Sequence, residues 1–238
     1  FILGIRNFTT LQSASSQYYT IPAVSLTGDF VIELEAVLGN TDSFDTFMSS
    51  GSTANRYRLT TGGASEIRMD SYTVSFANPL TLDVKLRTIK LTRVGNDFSL
   101  YQDEVLIQTV TDVTGGSKTA MFTRVANENN TNYFNGVLAN VKITDGTDLI
   151  RYYKIDEDLS ATSTIIDSGS DGSNGTAISI ASSELFTLLG SDWEASNIWT
   201  HGNVSAVAAA SGFVGTSSVT AISGLRYKFY YDVANYVN

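Results

Sequence analysis

The segment TIKLTRVGNDFSLYQDEVLIQTV, Thr88 to Val110, leaves this chain few folds. Its first run alternates: Ile89, Leu91 and Arg93 point one way, Thr88, Lys90 and Thr92 the other. That is the period of a half-buried strand. Val94-Gly95-Asn96-Asp97 breaks the pattern with turn residues. Phe98 and Leu100 restart it, Asp103-Glu104 turns again, and Val105 to Val110 closes the meander. Antiparallel meanders with one wet face build sandwiches and jelly rolls.

The same period recurs upstream and downstream. FVIELEAVL puts Phe30, Ile32, Leu34, Ala36 and Leu38 on a core face, with Val31, Glu33, Glu35 and Val37 opposite. Short strands are predicted at Tyr18 to Pro22, Phe44 to Ser50 and Arg56 to Thr60, and a strand pair with an ill-defined turn at Ile67 to Phe76. Further strands are predicted at Ala120 to Val125, in FNGVLANVKITDG, at Leu149 to Ile155 and at Ile165-Ile166, with Asn127 to Asn132 read as a polar loop. Helical periodicity is nowhere convincing. Regularly spaced short strands with turn signals argue a sandwich.

At Ser182 to Glu184 the character changes. The rest is rich in small residues and holds both tryptophans and the single histidine, His201. Its net charge is −2 of the chain's −9. About 55 residues with this little apolar mass make a marginal independent domain. The chain therefore divides into a β-sandwich at 1–183 and an incomplete β module at 184–238. The expected fold class is all-β: an antiparallel two-sheet jelly roll followed by a partial second β-sandwich.

Composition removes whole classes of function. A net charge of −9 argues against a nucleic-acid groove, which needs clustered Lys and Arg. With no cysteine, disulfides, zinc–thiolate sites and cysteine nucleophiles are excluded. No apolar run approaches the roughly 20 residues of a membrane span. Residue 1, Phe rather than Met, reads as the start of a visible or processed fragment.

Three segments, QYYTIPAVSLTGDFVIELEAVL, the meander and YFNGVLANVKITDG, occur in this order across roughly Phe8 to Ile180. On them the first unit resembles the laminin-G-like, concanavalin A-like lectin/glucanase superfamily. In LYQDEVL, Glu104 stands where that family carries Gly in a hairpin turn. The resemblance implies a two-sheet jelly roll in which an early strand returns to a late one, and we expect Tyr18 to Pro22 to pair with Val137 to Ile143. DWEASNIWTHGNVSAVAAA and SVTAISGLRYKFYYDV resemble the first half of a carbohydrate-binding-module-like jelly roll. Tandem arrangements of these modules resemble bacteriophage virion appendages, and also secreted bacterial adhesins and polysaccharide-degrading enzymes.

The chemistry this resemblance suggests can be checked residue by residue. Laminarinase-like members use three alternate carboxylates on one strand face. Here Glu33 and Glu35 supply two, Val37 and Leu38 follow, and the third is missing. Asp156-Glu157-Asp158 lies in a turn-like stretch, and His201 in a Thr-His-Gly-Asn turn. No catalytic residue is therefore assigned, and the protein is expected not to be an enzyme. Laminin-G-like domains bind calcium through loop oxygens. Asp42 with Asp45, Asp145 with Asp148 and Asp167 with Asp171 are the candidate pairs, although Asp also simply makes turns. No cofactor is required; Ca²⁺ is the one these loops admit.

Glycan binding needs exposed aromatics to stack on sugars and amides to read hydroxyls. Asn127, Asn129, Asn130, Asn132 and Tyr133 form one candidate set, Arg56, Tyr57, Arg68 and Tyr72 another, and Trp193 and Trp199 a third. Against each stands the fact that Tyr and Trp are common half-buried core residues. The expected function is a non-enzymatic structural or adhesive module of a virion capsid or tail appendage, with glycan binding. The alternative is a carbohydrate-binding module of a secreted bacterial protein. The expected partners are other subunits of an oligomeric virion or surface protein and a host-surface polysaccharide, without nucleic acid or membrane insertion. The expected location is the virion surface or, alternatively, a bacterial surface.

Overall fold

The computed structural model describes residues 9–11, 16–38, 44–83, 85–114, 116–155 and 163–180. Beyond these it describes the backbone of four short strands, at 193–195, 199–201, 206–208 and 214–216. The described residues are all β and turn, apart from one 3-10 turn at Thr61–Gly63.

In chain order the strands are β1 Thr9–Leu11, β2 Tyr18–Leu26, β3 Phe30–Leu38, β4 Asp45–Ser49, β5 Arg56–Leu59 and β6 Ser65–Met69. They continue with β7 Tyr72–Phe76, β8 Leu86–Val94, β9 Asp97–Gln102, β10 Val105–Thr111, β11 Ala120–Val125, β12 Asn127–Glu128 and β13 Asn132–Tyr133. The last of the sandwich are β14 Gly136–Asp145, β15 Asp148–Lys154, β16 Thr164–Ile165 and β17 Gly175–Ile178. The predicted meander is β8–β9–β10.

Two antiparallel sheets hold these strands. One has seven strands in the order β1-β14-β3-β8-β9-β10, with β15 also on β14; the other has eight, in the order β16-β17-β2-β11-β4-β5-β6-β7. Strand alternation makes the layers. Phe30, Ile32 and Leu34 are buried while Glu33 and Glu35 stay partly exposed, as their period requires. Residues of both sheets join one core, including Phe47, Tyr57, Met69, Phe76, Phe98 and Phe122. Phe47 anchors one end of it, 5.1 Å from the Tyr57 ring and 5.7 Å from that of Phe134. Burying each such ring contributes roughly 1.5–3 kcal/mol.

One expected pairing is corrected. Tyr18 to Pro22 does not pair with Val137 to Ile143; the two lie in different sheets. β2 pairs with β11 and with β17 (Thr176↔Thr20), and the strand on Val137 and Leu138 is β1, through Thr10 and Thr9. Early and late strands of the first unit thus meet twice, once in each sheet. Period-2 patterning specifies which face a strand buries but not which strand lies beside it, so both arrangements satisfied the sequence.

Of the second unit, Trp193–Ala195 pairs with Val214–Thr216 and Trp199–His201 with Ala206–Ala208. The side chains of Trp193, Trp199 and His201 lie outside the described residues, as do Asp42 and Asp156 to Asp158.

Candidate functional site

The outer face of the eight-stranded sheet carries an unbroken polar row. Register places Thr176, Thr20, Arg124, Ser49, Arg56, Arg68 and Thr73 side by side on β17, β2, β11, β4, β5, β6 and β7. Their sequence neighbours Ala177, Tyr19, Val125, Met48, Tyr57, Ile67 and Val74 fill the core. Alternation alone therefore turns the row outward.

Part of this face is covered by the β12–β13 hairpin. Ala126, at φ 68°, turns the chain out of β11, and its N–H donates to Phe47 O at 2.8 Å. Ser49 Oγ donates to Asn127 O at 2.5 Å. The hairpin tip uses left-handed Asn129 and Asn130, φ 49° and 57°, a conformation asparagine tolerates better than most residues. The hairpin delivers Glu128, whose side chain is 1% exposed, to two guanidiniums. Arg56 Nη1 donates to Glu128 Oε1 at 2.8 Å and Arg58 Nη1 to Oε2 at 3.1 Å. Glu66 Oε1 accepts from Nε of both arginines, at 2.8 and 2.9 Å. Two carboxylates thus balance two guanidiniums, and Asn132 Nδ2 adds a bond to Glu128 Oε2 at 3.1 Å. Charges this buried persist only with such pairing.

Beside the quartet lies a polar-aromatic corner. The Arg124 guanidinium carbon sits 5.2 Å from the centre of the Tyr18 ring, and Tyr18 lies 6.2 Å from Tyr133. Arg124 Nη1 donates to Asn127 Oδ1 at 2.8 Å and to Asn130 Oδ1 at 2.9 Å. Half-buried Tyr18, exposed Asn130, partly exposed Asn132 and Arg124 can offer a sugar one ring edge, amides and a cation.

The sequence-derived candidates divide accordingly. Asn127, Asn129, Asn130, Asn132 and Tyr133 do come together, as a hairpin rather than an open loop, with Asn127 fully buried. Arg56 and Arg68 lie on the outer face, but Tyr57 does not: it is wholly buried in the core, where burial pushes its phenol above the usual range. Tyr72 packs against the core under Lys118, 4.4 Å from its ring. The concave-sheet grouping of all four residues is corrected, because adjacent strand residues take opposite faces. Arg58, Glu66, Arg124, Glu128 and Tyr18 were missed. The alternation in RYRL already placed Arg58 beside Arg56; nothing local marked Glu128.

The aspartates do not converge. Asp45 is buried opposite Leu59 at the end of β4, and burial pushes its carboxyl up to about 7 against a backbone hydrogen bond from Asn135. Asp145 and Asp148 face each other, exposed, across the β14–β15 turn. Asp167 is taken up by the N–H groups of Tyr152, Gly169 and Ser173, and Asp171 by Arg151. Among the described residues no three His, Asp or Glu side chains gather as a metal site, and no helix is long and apolar enough to cross a membrane.

Glu33 and Glu35 stand on the outer face of the other sheet. Glu33 accepts from Lys142 Nζ at 2.7 Å, and Asn140 donates to Glu35. That hydrogen bond to Glu33 is the main cause holding the Lys142 ammonium above its ordinary range.

No protein-family model matches the chain, and no curated protein matches it. Solved structures do. A candidate carbohydrate-binding protein from Bacteroides ovatus superposes with a TM-score of 0.57 at 14% identity, covering 74% of this chain and 58% of that one. The chain therefore spans less than two thirds of that protein. Mouse laminin alpha1 domains LG4-5 give 0.46 at 11% identity, covering 63% and 44%, and a pentraxin from Limulus polyphemus gives 0.42 at 10%, covering 58% and 74%. The fold is an antiparallel two-sheet jelly-roll sandwich, shared with the Bacteroides ovatus protein.

Proposed function

We propose that this chain is a non-enzymatic glycan-binding module of a larger surface-exposed protein. The binding face is the outer face of the eight-stranded sheet, at the corner of Tyr18, Arg124, Asn130 and Asn132. The observation that carries the reading is the corner where Arg124 meets the half-buried Tyr18 ring, the Tyr18–Tyr133 pair and exposed Asn130. Sugars need both polar groups in register and an apolar ring to lie against. The name of the Bacteroides ovatus protein supports the same ligand class.

The absence of catalysis is part of the proposal. Glu33 and Glu35 are engaged by a lysine and an asparagine, and their cross-strand neighbours are Lys90, Thr88, Lys142 and Asn140, which supply no third carboxylate. The resemblance to tandem virion modules supports a virion appendage as the parent protein, with a secreted bacterial protein as the alternative.

Affinity electrophoresis of the full chain through gels containing single polysaccharides tests the reading. Retardation by at least one glycan, weakened in Tyr18→Ala and accompanied by no reducing-end release, is expected. Unretarded migration in every gel, or turnover abolished by Glu33→Gln, would refute it. Binding is expected to need no cofactor, so EDTA should leave retardation unchanged.

A further inference from the structure

We propose that the glycan bound on this face is acidic, carrying carboxylates or sulfates, and that Arg124, with Arg68 as a second contact, reads the charge. This rests on the reading that the face binds glycans at all.

Four arginines and two glutamates share the face. Arg56 and Arg58 are neutralised by Glu66 and Glu128, within 3.1 Å. Arg124 and Arg68 are not neutralised. Arg124 bonds only the neutral amide oxygens of Asn127 and Asn130, and Arg68 Nε bonds the Ser71 carbonyl at 3.1 Å. Among the described residues neither has a carboxylate within ion-pair distance. The chain has 24 acidic residues against 15 Lys and Arg, so acids to pair with them are plentiful. Two unpaired guanidiniums stand on one face of an acidic protein, three strand steps or about 14 Å apart, on either side of the neutralised quartet.

Arg124 is also held ready. The Tyr18 ring lies against its guanidinium, and both of its hydrogen bonds among the described residues use Nη1. Its Nε and Nη2 donors, the pair that forks onto a carboxylate or sulfate, make no bond among the described residues. Gly51 packs on the face of the guanidinium, where a Cβ would stand 3.0 Å from Nε, 3.2 Å from Cζ and 3.4 Å from Nη2, so the missing side chain lets the group lie flat there. Asn127 Nδ2 beneath this corner is buried and has no hydrogen-bond partner among the described residues. Thr20, Thr73 and Thr176 along the row suit a hydroxyl-rich chain.

The test is isothermal titration of the full chain with polygalacturonate, a sulfated galactan and a neutral β-glucan, each at low and at high salt. The expected result is at least about tenfold tighter binding to one of the polyanions than to the β-glucan, weakening as salt rises. The polyuronate and sulfate arms identify which acid is read. Arg124→Gln should cost polyanion binding about tenfold and Arg68→Gln less, with a smaller loss for the neutral glucan in each case. Gly51→Ala, which keeps the charge but presses a Cβ onto the guanidinium face from a backbone at φ 77°, should displace Arg124 and weaken polyanion binding in a protein whose far-UV spectrum is unaltered. Equal, salt-insensitive binding to charged and neutral glycans overturns the inference and leaves glycan binding standing. So does polyanion binding indifferent to both Arg124→Gln and Gly51→Ala. Binding to no glycan overturns the parent reading instead.

Discussion

Arg56 donates to Glu128 at 2.8 Å across a separation of 72 residues, and that bond fastens the β12–β13 hairpin onto the outer face of the eight-stranded sheet. Arg58 donates to the same carboxylate, Arg124 to Asn127 and Asn130, and Ser49 to the Asn127 carbonyl, so four side chains of the sheet hold the hairpin there. The glycan corner is built on this hairpin, so the ion quartet supports the site without touching a ligand.

Glu128→Ala should be the most damaging polar substitution in the described residues. It leaves Arg56 and Arg58 sharing Glu66 alone in a site where Glu128 is 1% exposed. Breaking a buried pair from one side costs about 3–5 kcal/mol. Urea denaturation monitored by tyrosine fluorescence should show the loss. Glu128→Gln, which keeps two hydrogen-bonding atoms, should lose less.

Asp45 gives the protein a pH dependence of unusual sign. Its folded carboxyl titrates near 7, raised by burial from 3.8. Below about pH 4 it is protonated in both states and contributes nothing. As pH rises toward 7 the unfolded chain gives up this proton while the folded chain keeps it. Stability therefore falls across that window, by an amount on the order of 4 kcal/mol. Melts at pH 4.5 and 7.5 should differ more in the native chain than in Asp45→Asn, whose neutral amide removes this contribution.

Glu104→Gly should stabilise. Asp103 and Glu104 both adopt positive φ, 50° and 64°, in the β9–β10 turn. Glycine takes this conformation freely, whereas other residues pay about 1–2 kcal/mol. The exposed Glu104–Lys90 ion pair that would be lost is worth only a few tenths. Calorimetry should show a melting temperature higher by about 2–4 °C.

Gly136→Ala should disrupt the seven-stranded sheet. A Cβ there would stand 2.4 Å from the Val37 carbonyl oxygen, a backbone atom held in the β3–β14 ladder. The cost should be about 1–3 kcal/mol, and more if the ladder parts. Gly28→Ala, with nothing within 4 Å, is the matched control and should stay within about 0.5 kcal/mol.

Much of this was legible in the chain itself. The alternation of Phe30, Ile32 and Leu34 with Glu33 and Glu35 dictated a half-buried strand, because side chains on a pleat point to opposite faces every second residue. The breaks at Gly95-Asn96 and Asp103-Glu104 delimited the meander for the same local reason: chain direction reverses where turn residues accept it. Local chemistry also assembled the asparagines of 127–132.

What local chemistry could not decide was adjacency. That β2 lies on β17 and β11 while β1 takes β14 depends on how two sheets close over one core, a choice made by summed burial rather than by any one strand's pattern. The same limit hid the site. Glu128 reads as one polar residue in a polar loop until folding brings it to Arg56 and Arg58. Arg124 reads as a strand-end cation until Tyr18, Gly51 and two asparagines are set around it. Sequence determined the elements and their faces because those are properties of neighbouring residues. The tertiary structure alone decided the partners, because a buried charge chooses its partner across space.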